Sequence, residues 1–235
     1  MAFPIGSAEI TGEKEEDNGN LRTCSGWLVG RVAVAAGGPA AASRGTGGVY
    51  PDPDPAGGDG APGDPEVGID THIQDIVNVL EYEDLQEVVL LGYSFSGMVV
   101  TGVAERVPER IRHLVFLDAF VPEDGQSLAD LTGPELTAVF TQIAQVYGNG
   151  WLVPHDPPDA PKRTPQPLKP LLEAVSVKNP RASDIPRTYI YCTDKAAETT
   201  DNPVWAAVMG IITQTAAKAR GAGWRYRELN TGHSP

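Results

Sequence analysis

Cysteine is nearly missing from this chain, with Cys24 and Cys192 the only two. Two cysteines build neither a disulfide framework nor a cysteine-rich metal centre, and a reducing, cytoplasmic setting is the expectation that follows. Positive charge is scarce as well. Against 31 Asp and Glu stand 18 Lys and Arg, a formal net charge of −13, which argues against nucleic acid as a partner because its phosphates would be repelled. No apolar run approaches the length of a membrane-spanning helix. Residues 1–20 carry Glu13, Lys14, Glu15, Glu16 and Asp17 and no apolar stretch, so they do not read as a secretory signal. Large apolar residues are few from Ala35 to Pro65. The prolines of Pro51-Asp52-Pro53-Asp54-Pro55 lack the N–H that a central strand or a helix interior needs. Such composition buries too little surface to offset chain entropy, and residues 1–65 are expected to be irregular.

What is present begins at about Glu66. The chain has 235 residues, 41% of them hydrophobic, enough for one domain with a core. Ile69, Ile73, Ile76, Val77 and Leu80 recur at helical spacing, with Asp70 a candidate N-cap. Val88–Leu91, His113–Leu117, Thr188–Cys192 and Trp224–Leu229 are short runs with the character of strands, the first continuously apolar as in a strand covered on both faces. Met98–Glu105, closed by Pro108, and Pro203–Arg220 read as helices. Strands alternating with helices imply a mostly parallel sheet with helices on both faces, an α/β domain over residues 66–235. The stretch at about 121–185 interleaves prolines with short helical pieces such as Pro134–Val146 and reads as an inserted helical cap.

Chemistry concentrates at Gly92-Tyr93-Ser94-Phe95-Ser96-Gly97. This segment follows a buried strand and opens a helix, the context in which a G-x-S-x-G turn projects a nucleophilic serine from a sheet edge. Small neighbours let the turn close, and the helix N-terminus behind it offers N–H groups to a developing oxyanion. The amide of Phe95 is the expected donor. Ser96 stands where the second glycine usually is, so some strain is expected there.

A serine hydroxyl needs a base, and the base an orienting carboxylate, in chain order Ser, acid, His for this kind of turn. Of four histidines, His72 and His113 fall before or within scaffold elements and His155 in the inserted stretch. His233 sits in a loop after the last strand, where the base belongs. Asp194, in Cys192-Thr193-Asp194-Lys195, follows the third strand and is the expected acid; Glu198 and Asp201 are nearby rivals, and a carboxylate in such a place also serves as a helix cap.

The elbow, with Val107-Pro108-Glu109-Arg110-Ile111 and the run Leu117-Asp118-Ala119-Phe120-Val121-Pro122 through Leu128, resembles the bacterial α/β-hydrolases related to plant salicylate-type esterases and hydroxynitrile lyases. The likeness extends to Val67–Leu85, to Cys192–Lys195 and to Gly223–Pro235. It implies the α/β-hydrolase fold and a triad of Ser94, Asp194 and His233. It further implies an apolar acyl pocket under a helical cap, a small apolar ester as substrate, and neither metal nor organic cofactor. Tyr93 replaces the usual His of Gly-His-Ser. Ser234 follows His233 where a lysine would point to lyase chemistry, which favours an esterase.

The family opens with a strand ending in a His-Gly loop that supplies a second oxyanion donor, and residues 1–66 contain no His-Gly. Reading the codons for Tyr50 to Pro65 one nucleotide further on can yield Thr-Pro-Thr-Leu-Thr, then Leu-Gly-Glu, then His-Leu-Ala-Thr-Pro, which matches the family. Part of residues 20–65 is therefore read as frameshifted translation, with the first strands missing or disordered. The family also continues past its histidine with a final helix, where this chain stops at Pro235. The expectation is an impaired esterase, with a catalytically dead small-ligand binder of the same fold, or a lyase using the same triad, as alternatives.

Overall fold

The computed structural model describes residues 32–36, 64–154 and 165–233. Its centre is a five-stranded sheet: β1 (Val32–Ala36), β2 (Val88–Tyr93), β3 (Ile111–Leu117), β6 (Arg187–Cys192) and β7 (Arg225–Leu229), side by side in that order. β2, β3, β6 and β7 run parallel, and β1 pairs antiparallel with β2, Val34 opposite Leu90. β1 falls within the segment expected to be irregular. Its Val-Ala-Val-Ala-Ala run has nothing to prevent extension, and the free side of β2 supplies the ladder. Most of the proline-rich segment, and the codons assigned to a shifted frame, lie outside the described residues.

The helices of the parallel part are α1 (Ile69–Tyr82), α2 (Ser96–Arg106) and α7 (Pro203–Gly221). α1 starts at Gly68 rather than at Asp70, which occupies the first turn and there meets the positive end of the helix dipole. The Ile69 N–H that opens the helix donates to Glu173 Oε2 at 2.8 Å. α7 is capped by Asn202, whose side chain accepts from the Trp205 N–H.

The crossovers β2-α2-β3 and β6-α7-β7 step in the same direction across the sheet. With right-handed crossovers, α2 and α7 share one face. Burial alternates accordingly. Val88, Leu90 and Gly92 of β2 are buried, as are Leu114, Phe116 and Tyr189, whereas Val89, Leu91, Val115 and Ile190 on the opposite face are half-buried. The core joins Leu80, Val100, Val103, Phe116, Tyr189 and Ile212 across the helix-covered side.

Between β3 and β6 no described residue joins the main sheet. That stretch holds α3 (Leu128–Tyr147), a two-stranded ladder of β4 (Leu152–Val153) with β5 (Gln166–Pro167), and the short helices α4 (Lys169–Leu172) and α5 (Pro180–Ser183). α3 begins with a capping box, Ser127 and Asp130 each bonding the other's backbone N–H. It kinks at Gly133, φ +82°, followed by Pro134, because proline removes a helix donor and crowds the preceding turn. Another short helix, α6 (Ala196–Thr199), precedes α7.

Candidate active site

The parallel strands β2, β3, β6 and β7 end along one edge, and the loops beyond those ends meet. The first loop is the elbow. Ser94 has φ +54°, a left-handed conformation that costs a non-glycine residue energy and persists only where its surroundings enforce it. Those surroundings are visible. A side chain at Gly92 would run into the Ser96 carbonyl and Val100, and one at Gly97 into the carbonyl oxygen of Phe120. The second small position of the turn is thus Gly97. Ser96 does not share the positive φ, so the strain expected there sits on Ser94.

Two backbone bonds fix the elbow to the loop after β3. Ser94 N–H donates to Leu117 O at 3.2 Å, and Phe120 N–H donates to Ser94 O at 3.1 Å. Between them stands Asp118, fully buried, also with positive φ (+44°). Tyr189 holds the next residue from below: its hydroxyl donates to Ala119 O at 2.7 Å and accepts the Ala119 N–H at 3.1 Å. Burial, reinforced by the charge of Asp118, pushes the Tyr189 phenol well above its ordinary range. It therefore stays a protonated donor.

His233 arrives on the loop after β7. Its Nε2 lies 2.9 Å from Ser94 Oγ and its Nδ1 lies 2.7 Å from Asp118 Oδ2. With the proton on Nδ1, the imidazole donates to the carboxylate and accepts the serine O–H. The three side chains are 6%, 5% and 0% exposed for Ser94, His233 and Asp118. The ring of Tyr93 stands 4.9 Å from the His233 ring and that of Trp205 5.9 Å away.

Ser94 and His233 thus meet as the sequence led us to expect, and the carboxylate that meets them is Asp118 instead of Asp194. Asp194 is exposed, and its recorded bond is a backbone one, N–H to Thr231 O at 3.0 Å, which ties the β6 loop to the histidine loop. Strand order brings both loops within range, β3 beside the elbow strand β2 and β6 beside the histidine strand β7; Asp118 turns a buried carboxylate to His233, whereas the Asp194 side chain is exposed. A signal for Asp118 was present in the sequence: an Asp directly after the apolar run Leu114–Leu117, in the permitted order Ser, acid, His. Phe95, the expected oxyanion donor, is buried as the residue preceding α2, where the leading N–H groups of a helix have no intrahelical acceptor. His72 and His113 belong to α1 and β3, away from this cluster in the chain's layout; His155 lies outside the described residues. Among the described residues there is no group of His, Cys, Asp and Glu that could hold a metal ion. Nor is any described helix long and apolar enough to cross a membrane.

A profile of the alpha/beta hydrolase fold family matches residues 35–149. A strand–elbow–helix centre, a mostly parallel sheet and this match agree. The fold is that of the α/β hydrolases. A solved extracellular α/β-hydrolase from a Paenibacillus species, described as sharing structural and functional homology with tobacco salicylic acid binding protein 2, is similar to it. Identity is 25%, the likeness covers 73% of this chain and 74% of the other, and the TM-score is 0.56. A pyrethroid hydrolase from Sphingobium faniae shares the fold at 18% identity, 78% and 77% coverage and a TM-score of 0.54. In sequence the chain is 50% identical over 78 residues to a carbendazim hydrolyzing esterase of Nocardioides sp. (strain SG-4G). That match spans about a third of each chain, 32% of either.

Proposed function

We propose that this protein is a serine hydrolase of small carboxylic esters working through an acyl-enzyme. The observation that carries the reading is the continuous chain from Ser94 Oγ through His233 to Asp118, at 2.9 and 2.7 Å. In the first half-reaction, Oγ attacks the ester carbonyl carbon as its proton passes to Nε2. The imidazolium so formed is stabilised by the buried carboxylate on Nδ1. The negative charge developing on the carbonyl oxygen falls toward the Phe95 N–H and the N-terminus of α2. His233 returns the proton to the departing alkoxide, and the acyl-enzyme forms. Water, deprotonated by the same Nε2, then releases the acid. Asp118 takes the role for which Asp194 was the sequence expectation.

The rings of Tyr93 and Trp205 beside His233 support an apolar substrate. The names of the Nocardioides and Sphingobium relatives support ester-type hydrolysis as the class. A lowered rate is part of the proposal. Residues 1–66 contain no His-Gly pair to supply a second oxyanion donor, and loss of one such donor costs on the order of 10²–10³ in turnover. A cytoplasmic setting is proposed from the cysteine count alone, and the Paenibacillus relative is described as extracellular.

A fluorophosphonate probe and p-nitrophenyl acetate test the reading together. Labelling of the chain that vanishes in Ser94→Ala and His233→Ala, with ester turnover that vanishes in parallel, is the expected result. Absence of labelling at Ser94 in a folded chain would instead establish a non-catalytic member of the fold.

A further inference from the structure

The carboxylate of Asp118 has two oxygens, and only one faces His233. The other, Oδ1, accepts the Cys192 N–H at 3.1 Å and lies 2.8 Å from Lys195 Nζ. Lys195 is itself buried, its side chain 9% exposed, with Nζ 4.0 Å from the centroid of the Tyr191 ring. A lysine so deeply placed on an acid already engaged by a histidine is unusual, because each buried charge carries a large desolvation penalty.

We propose that Lys195 is a positioning residue of the triad, locking Asp118 so that Oδ2 alone is offered to His233. This rests on the reading of Ser94, His233 and Asp118 given above. The groups that face the pair come from every element around it. Asp118 is faced by His233 from the β7 loop, by Lys195 and the Cys192 N–H from the end of β6, and by Tyr189 from within β6. His233 is faced by Ser94 and Tyr93 of the elbow and by Trp205 of α7. Among the described residues, Asp118 is the one acid paired with Lys195.

The consequence is geometric. With Lys195 Nζ and the Cys192 N–H both on Oδ1, the carboxylate cannot rotate without giving up two bonds in a buried site, and each would be costly to leave unmade there. Oδ2 is thereby held toward Nδ1 of His233.

The test is the downfield NMR resonance of the His233 Nδ1–H held by Asp118, observed in the full chain at one pH and assigned by its loss in His233→Gln. In Lys195→Met and Lys195→Gln the resonance should move upfield or broaden as the carboxylate loses its lock, and kcat on an aryl ester should fall at least about tenfold with KM little changed. Lys195→Arg, which keeps a donor on Oδ1, should restore both. A purely structural lysine would lower the folded fraction and leave the resonance and kcat of the folded chain where they are; that result, in chains of native circular dichroism, would overturn the proposal. Because the resonance needs no turnover, it stands apart from the fluorophosphonate experiment: failed labelling with a moved resonance removes the esterase reading and leaves the Lys195 coupling in place.

Discussion

Phe120 donates its backbone N–H to the carbonyl of Ser94 at 3.1 Å, so the turn carrying Ser94 and the loop carrying Asp118 are one unit. The two left-handed residues of the site, Ser94 and Asp118, stand on either side of this connection. Strain at each is held by the other's loop, and a change that separates the loops should damage orientation before it unfolds the sheet.

The choice between the two aspartates is directly measurable. Asp118→Asn keeps the shape of the side chain but removes the charge that stabilises the His233 imidazolium, and turnover should fall on the order of 10³–10⁴. Asp194→Asn, at an exposed side chain whose backbone makes the recorded bond, should change turnover by no more than a few-fold. Steady-state kinetics on an aryl ester decides it. The reverse order of effects would return the acid's role to Asp194 and remove the assignment made from the geometry.

How far the sequence disclosed this arrangement depended on whether the decisive contact was local. Val88-Val89-Leu90-Leu91 and His113–Leu117 read as strands because strands flanked by parallel neighbours are apolar almost throughout, and they recur as β2 and β3 with ends moved by at most two residues. The elbow was equally readable, since its glycines and serine act on one another within six positions. Asp118 was readable only as one candidate of two. β3 and β6 are each followed closely by an aspartate, and which of the two turns its side chain to His233 is a tertiary fact that neither local run states. β1 escaped for the same reason: nothing local in Val32–Ala36 marks it as a partner for β2, 52 or more residues away.

Gly97 offers a packing test of the shared unit. A methyl group there would press on the Phe120 carbonyl oxygen and on Ala119 Cβ, both on the loop that bears Asp118. Gly97→Ala should cost roughly 1–3 kcal/mol in urea unfolding and lower turnover well beyond what the lost stability explains. Gly210→Ala is the control. It lies exposed in α7 with nothing within 4 Å of the added carbon, and it should stabilise by roughly 0.5–1 kcal/mol through helix propensity. Equal and harmless effects at both positions would contradict the close approach.

Tyr189 should matter to the site from a distance. Its hydroxyl serves both the N–H and the C=O of Ala119, and Tyr189→Phe leaves two buried backbone groups unpaired at the residue following Asp118. Destabilisation of about 1–3 kcal/mol is expected, together with a fall in kcat at little change in KM, because the acid loses its support and the substrate loses nothing. A variant with wild-type kcat would show that the elbow's own bonds suffice to hold Asp118.

His72 governs the response to acid. It is buried in α1, its Nε2 has no partner among the described residues, and burial lowers its pKa from 6.5 to about 4. Above pH 6.5 the residue is neutral whether the chain is folded or not, and it contributes nothing to the pH dependence. Between pH 6.5 and about 4 the unfolded chain binds a proton that the folded chain refuses, so stability falls as pH falls. The full gap corresponds to roughly 3 kcal/mol, nearly all of it lost by pH 4. Urea unfolding of wild type and His72→Leu at pH 7 and pH 4.5 isolates this contribution from the carboxylates, which titrate in both chains. The wild type should lose about 2 kcal/mol more than the variant over that interval. Equal losses would mean that the imidazole reaches water, or a partner, in the folded protein.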